Sequence, residues 1–162
     1  MSLSHLDAAG RARMVDVAGK PMTARSAVAE GAIRMSGAAF RLVAAGAAEK
    51  GDVLAISEIA GTLAAKRTAE LIPLCHPLGL DHIEVTASLD ESLPGIRVRA
   101  VTKAVGRTGV EMEALTAVSV ALLTAYDMVK AADRGMELHG VRLLEKTGGA
   151  HGDWQRGATD DA

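Results

Sequence analysis

Two carboxylates and an Asp–Lys pair bracket a stretch of chain that is otherwise free of charge. Glu111 and Glu113 open it, Asp127 and Lys130 close it, and Tyr126 is the one ionisable side chain between Glu113 and Asp127. The stretch reads as a helix from Gly109 to about Ala132. A helix that apolar is buried on nearly all sides. Buried charge is costly unless it is paired or used, so chemistry is expected at the two ends. Asp127 and Lys130 are three residues apart and share a helix face. In a semi-buried setting the lysine loses proton affinity by desolvation while the carboxylate holds it, which makes an acid–base unit. The plainer alternative is a surface pair worth little. At the other end, Thr108 and Glu111 have the spacing of a capping box. Truncating Glu111 is then expected to cost mainly stability, about 1 kcal/mol. Glu113 is either a solvated first-turn acid favoured by the helix dipole or a member of a site.

Glu113 and Asp127 lie 14 positions apart, roughly 21 Å along a helix axis. One small ligand does not span that distance. Either the ligand is long, or a two-fold dimer brings the start of one helix toward the end of its mate.

Further candidates lie outside the helix. Leu71-Ile72-Pro73-Leu74-Cys75-His76-Pro77-Leu78 carries two prolines four residues apart. Neither a helix nor a central strand tolerates that, so it reads as an ordered apolar loop able to aim His76. Cys75 has no activating partner in sequence and reads as packing or wall. Cys75 and His76 are too few ligands for a metal site, and none is expected. Lys20, Arg25, Lys50, Lys66, Arg67, Lys130 and Lys146 recur beside glycine or at element ends. Singly each is a solvated charge; as a set they could converge on a polyphosphate. The chain has no G-x-x-x-x-G-K-[ST], which gives no support to nucleotide hydrolysis of that style.

The elements that must position these residues follow from periodicity. Thr23 to Met35 reads as a strand and Gly37 to Ala47 as a short helix. Asp52 can cap a helix from Val53 to about Thr68. His82 to Asp90 and Gly95 to Val105 alternate apolar and polar residues and are joined by Glu91-Ser92-Leu93-Pro94, a hairpin. Val141 to Glu145 reads as a last short strand. The order is the β-α-β-β-α-β pattern of a ferredoxin-like α+β sheet with one additional helix, the helices packed on one face. Residues 1–23 read as a flexible lead-in, 24–148 as a single domain and 149–162 as a polar, loose tail.

The 162 residues favour one domain with a proper core. Apolar residues make up 49% and aromatic residues 2%, so small aliphatic side chains must fill that core, a weak argument for an oligomer that completes burial. A net charge of −2 makes no general bid for nucleic acid or anionic membrane. One Phe, one Tyr and one Trp leave no stacking platform for bases. The lone Cys75 and an N-terminus without an apolar run fit a cytoplasmic protein. The central helix approaches the length of a membrane span, but Thr116, Ser119 and Thr124 favour a core helix of a water-soluble protein. The classes left are an enzyme and a ligand-binding regulatory module.

Leu71 to Leu78 and Thr108-Gly109-Val110-Glu111-Met112-Glu113-Ala114-Leu115-Thr116-Ala117 resemble the signatures of the MoaC family. So do Met14-Val15-Asp16-Val17, Lys50-Gly51-Asp52-Val53, Ala64-Ala65-Lys66-Arg67-Thr68, Tyr126-Asp127-Met128 with Lys130, and Lys146-Thr147-Gly148-Gly149. The resemblance implies a lyase of molybdenum-cofactor biosynthesis that needs no metal or organic cofactor. It would convert (8S)-3′,8-cyclo-7,8-dihydroguanosine 5′-triphosphate to cyclic pyranopterin monophosphate with release of pyrophosphate. It also implies a ferredoxin-like homohexamer, a trimer of dimers with sites at the dimer interfaces. By position, Asp127 matches the family's active-site aspartate, and Lys50 and Lys130 its catalytic lysines. Leu74, Cys75 and His76 match one substrate-contacting segment, Met112 and Glu113 the other. Lys66 and Lys146 match further basic residues around the pocket, and Lys20 and Arg25 a mobile basic loop near it. Two positions depart: Val129, where many members carry Cys, and Ala150-His151-Gly152, where many carry Lys-Ser-Gly.

Overall fold

A computed structural model describes residues 10–150 and 152–157. The chain runs β1 (Thr23–Arg34), α1 (Gly37–Ala44), α2 (Val53–Ala65), α3 (Thr68–Leu71), β2 (His82–Asp90), β3 (Gly95–Gly106), α4 (Glu111–Val129), β4 (Glu137–Thr147) and β5 (Trp154–Gln155). The strands form one antiparallel sheet in the order β2-β3-β1-β4-β5. The first four strands reproduce the ferredoxin-like order, and α2 and α4 pack against each other and against the sheet.

The hairpin forms where alternation places it, with Ile83, Val85 and Ala87 turned toward the helices. Asp52 caps α2 as its position predicts, its Oδ1 accepting the Ala55 N–H at 3.0 Å. Several boundaries differ from the sequence reading, α4 among them, which runs Glu111–Val129 rather than Gly109 to about Ala132. The helix α1 stops at Ala44, where Gly46 turns with φ 64°. The helix α2 stops at Ala65, and Thr68 opens the separate turn α3, its hydroxyl donating to the Ala64 and Ala65 carbonyls. Strand β4 is more than twice the expected Val141–Glu145, because two register shifts against β1, one beside Gly140 at φ 63°, break the alternation that would reveal it. Beyond the glycines at 148 and 149, within the tail read as loose, Trp154 and Gln155 pair with β4.

The capping box is not formed. Helix α4 begins at Glu111, its N-cap is Val110, and no side chain caps it. The Glu111 carboxylate instead lies against Gly109, where an added Cβ would collide with it. The expectation that Glu111 acts mainly by capping is therefore overturned: a residue at the first helical position is too close to reach back as the box requires.

Helix α4 is the one described helix long and apolar enough to cross a membrane. Here Ala114, Ala117, Val118, Ala121, Leu122 and Ala125 are fully buried against the core residues Ala27, Ala29 and Ile33 of β1 and Ile96, Val98 and Ala100 of β3. Small residues set the spacing to α2. A Cβ at Gly61 would stand 2.8 Å from the Ala117 carbonyl oxygen and 3.0 Å from a Val85 methyl. Glu58, on the same helix, accepts the N–H of Ala87 on the edge strand β2 at 2.9 Å. The absence of a side chain at Gly61 is thus what lets the two helices touch. Alanine would gain about 1 kcal/mol of helix propensity, but overpacking against backbone costs about 1 to 3 kcal/mol. Gly61→Ala is expected to lower the stability measured by urea unfolding, and a gain would show that α2 can move away freely.

Candidate active site

The helix pair gathers the candidate residues into two groups. Lys50, just before α2, reaches Asp127 near the end of α4. Gly61 meets α4 at Ala117 and Ala121, and the loop after α3 meets Glu113 at the start of α4. The two helices are therefore antiparallel, and Lys66, the C-cap of α2, stands at the same end as Glu113.

At the far end of α4, Asp127 bridges two lysines. Its Oδ2 accepts from Lys50 Nζ at 2.5 Å and its Oδ1 from Lys130 Nζ at 2.6 Å. Lys50 also donates to the Asp127 carbonyl at 3.1 Å. An acid at a helix C-terminus is disfavoured by the dipole, and the two cations offset that. Lys130 is delivered by helical spacing, Lys50 by the turn Ala48–Gly51, where Gly51 adopts φ 95° and donates to the Ala48 carbonyl. Hydrogen bonds from Lys130 and then Lys50 hold the Asp127 carboxyl at about 2, below the usual aspartate value. All three side chains are about half exposed, so this chain by itself does not supply the semi-buried setting expected for the pair.

At the near end, Glu113 is 3% exposed. Its Oε1 accepts from the Cys75 thiol at 3.8 Å, and its Oε2 has no hydrogen-bond partner among the described residues. Burial, reinforced by the neighbouring Glu111, pushes the Glu113 carboxyl above the ordinary glutamate value. Burial and then Glu113 push the Cys75 thiol up as well, so Cys75 is a neutral wall group rather than a thiolate nucleophile. The single-turn α3 and the Cys75 N–H to Ile72 carbonyl bond set the loop. Leu74 and Met112, 40% and 38% exposed, form an apolar rim. His76 is not directed into this pocket: its Nε2 lies 2.7 Å from the Val15 carbonyl, tying the N-terminal segment to the loop. Nothing in the sequence pattern pointed to Val15 as its partner.

The basic residues are spread over the same end of the sheet. Arg25 donates to the Gly106 carbonyl at 3.3 Å, and its guanidinium fills the space beside Gly149, where a Cβ would meet it. Lys146 Nζ donates to the Gly152 carbonyl at 3.3 Å. Lys20 sits in a turn closed by its N–H to Val17, three residues before β1. His151 and residues 1–9 lie outside the described residues. Within one chain, Glu113 and Asp127 stay at opposite ends of α4. One end offers mobile cations around an acid, suited to moving protons and stabilising phosphate charge. The other offers a buried acid that holds its proton more tightly than usual, beside the apolar Leu74 and Met112, suited to the edge and face of a heterocycle.

Comparison with known proteins follows this geometry. The MoaC family model matches residues 14–149. A cyclic pyranopterin monophosphate synthase of Methylobacterium sp. (strain 4-46) is 61% identical over 153 residues, 94% of this chain and 96% of that protein. The protein of the same name from Methylobacterium nodulans is 62% identical over 151 residues, 93% and 94% of the two chains. That from Chloroflexus aggregans is 56% identical over 154 residues, 95% and 93%.

The two ends respond oppositely to pH. The folded chain keeps the Glu113 proton where the unfolded chain has lost it, so stability falls as pH rises above the ordinary value of 4.5 through the raised one. Glu113→Gln removes that fall: in urea unfolding its advantage over the parent should grow with pH, and a constant difference would mean that the Glu113 carboxyl titrates alike in the folded and unfolded chains. Asp127 contributes stability above its ordinary 3.8 that is lost as pH falls toward 2. Asp127→Asn should flatten the acid limb of the same profile.

Proposed function

The chain belongs to the MoaC family, and we propose that it is a cyclic pyranopterin monophosphate synthase, a lyase of molybdenum-cofactor biosynthesis. It converts (8S)-3′,8-cyclo-7,8-dihydroguanosine 5′-triphosphate to cyclic pyranopterin monophosphate and pyrophosphate. The observation that carries this reading is the Lys50–Asp127–Lys130 cluster, two ammonium groups on one carboxylate. Opening the purine and building the pterin needs several proton transfers, and a lysine held by an aspartate can give and take protons. Closing the cyclic phosphate by attack of a sugar hydroxyl on the α-phosphorus breaks the bond to the β-phosphate and frees pyrophosphate, whose charge needs cations. On this reading Lys50, Asp127 and Lys130 are catalytic. Leu74, Cys75, Met112 and Glu113 line the substrate, His76 holds their loop through the Val15 carbonyl, and Lys20, Arg25, Lys66 and Lys146 hold its phosphates.

The active unit of this reading is a dimer within a hexamer, in the cytoplasm, with each site made by two copies. The apolar side chains Ile56, Ile59 and Leu63 of α2 and Leu123 of α4 are 44–56% exposed on the outer surface of the helix layer. They lie between the two groups of site residues. A two-fold axis near Ser119 and Val120 would bury that surface. It would also bring Asp127 of one copy to Met112 and Glu113 of its mate, which supplies the missing desolvation.

Phosphorus NMR of the protein with the cyclised dihydro-GTP should show pyrophosphate and a cyclic phosphodiester. An unchanged triphosphate spectrum with broadened lines would mean binding without chemistry. Lys130→Ala should fold and yield no product; near-normal turnover would remove Lys130 from the mechanism. Refolding Lys130→Ala together with Glu113→Ala should restore about a quarter of the parent activity, because half the dimers are mixed and carry one intact site of two. No recovery would place each site within one chain.

A further inference from the structure

The inward face of β3 reads Ile96, Val98, Ala100, Thr102, Ala104. Thr102 is its one hydroxyl, and it is 0% exposed. A buried hydroxyl needs a partner, and Thr102 Oγ1 donates to the Val110 carbonyl at 2.9 Å. Val110 is the N-cap of α4, itself fully buried and without a side-chain cap. Its carbonyl also accepts the Ala114 N–H, at 3.3 Å. Among the described residues, this is the side-chain hydrogen bond that ties the start of α4 to the sheet. Met112 and Glu113 are the second and third residues beyond the tie.

We infer that Thr102 is a positioning residue for the substrate pocket, setting where α4 begins and so where Glu113 and Met112 stand against Cys75 and Leu74. The inference rests on the synthase reading for the identity of the substrate. The geometry favours this role over a purely structural one. Valine has nearly the same shape and suits a strand. Replacing the hydroxyl would leave the Val110 carbonyl still paired with Ala114, so no buried group is orphaned. What changes is the second anchor on that carbonyl. Small displacements of a positioned group are felt strongly in binding and catalysis.

The test compares Thr102→Val and Thr102→Ser with the parent, using kcat and KM for product formation from the cyclised dihydro-GTP and the rate at which iodoacetamide alkylates Cys75, the chain's one cysteine. In Thr102→Val we expect a melting temperature near that of the parent, KM raised about tenfold, kcat within about twofold because the lysine cluster is at the other end of α4, and faster alkylation as the Glu113 contact loosens. Thr102→Ser, which keeps the hydroxyl, should restore KM and the alkylation rate. An unchanged KM in Thr102→Val, or a Thr102→Ser variant as impaired as Thr102→Val, would overturn the inference. A parent protein that makes no pyrophosphate would instead count against the synthase reading. The alkylation rates then decide the role of Thr102 alone: equal rates in the parent and Thr102→Val would refute it.

Discussion

Helix α4 can be buried only because its neighbours are small. Gly61 lets the backbone of α2 come up to the Ala117 carbonyl, and a line of alanines lets α4 lie directly on β1 and β3. Close packing of this kind fixes an element at both ends, since interiors have little room to yield. The helix therefore acts as a spacer of fixed length. Lys50, which is brought to Asp127 by the start of α2, and Cys75, which is brought to Glu113 after its end, are placed by the same helix-on-helix contact. The two groups of reactive side chains are at once well positioned and held apart.

The two ends are electrostatically different, and the difference follows from solvent. At Asp127 all three side chains are half exposed, and hydrogen bonds from Lys130 and Lys50 keep the carboxylate ionised. At Glu113 water is excluded and the acid retains its proton more readily, with one oxygen left over for a donor or acceptor that arrives. On the proposed reading, a nucleoside triphosphate analogue offers complements to both: charged phosphates for the cations and a flat polar-edged ring for the buried acid.

What the sequence disclosed, and what it hid, divides along local and distant causes. The hairpin, the Asp52 cap and the burial of α4 depend on neighbours within a few residues and were legible from alternation and composition. The Asp127–Lys130 pair was legible for the same reason. Lys50 joining it was legible only through the family resemblance and not from spacing, because that contact spans 77 residues and depends on how α2 enters. Strand β4 was hidden by its two register shifts, which scramble a period-two pattern without ending the strand. The Thr108–Glu111 signature misled because the helix starts at Glu111 with Val110 as its N-cap, two residues later than the sequence reading placed it. Thr102 drew no attention, since threonine is ordinary in strands and its partner lies across a turn.

Both margins of the sheet carry a contact from within the chain. On β2, the Glu58 carboxylate takes up the Ala87 N–H. On β4, Trp154 and Gln155 form a two-residue strip, after which the Arg156 N–H returns to the Leu144 carbonyl. Each contact takes up ladder groups that another strand would otherwise pair with. Both margins are in this way partly blunted against edge-to-edge pairing with another chain.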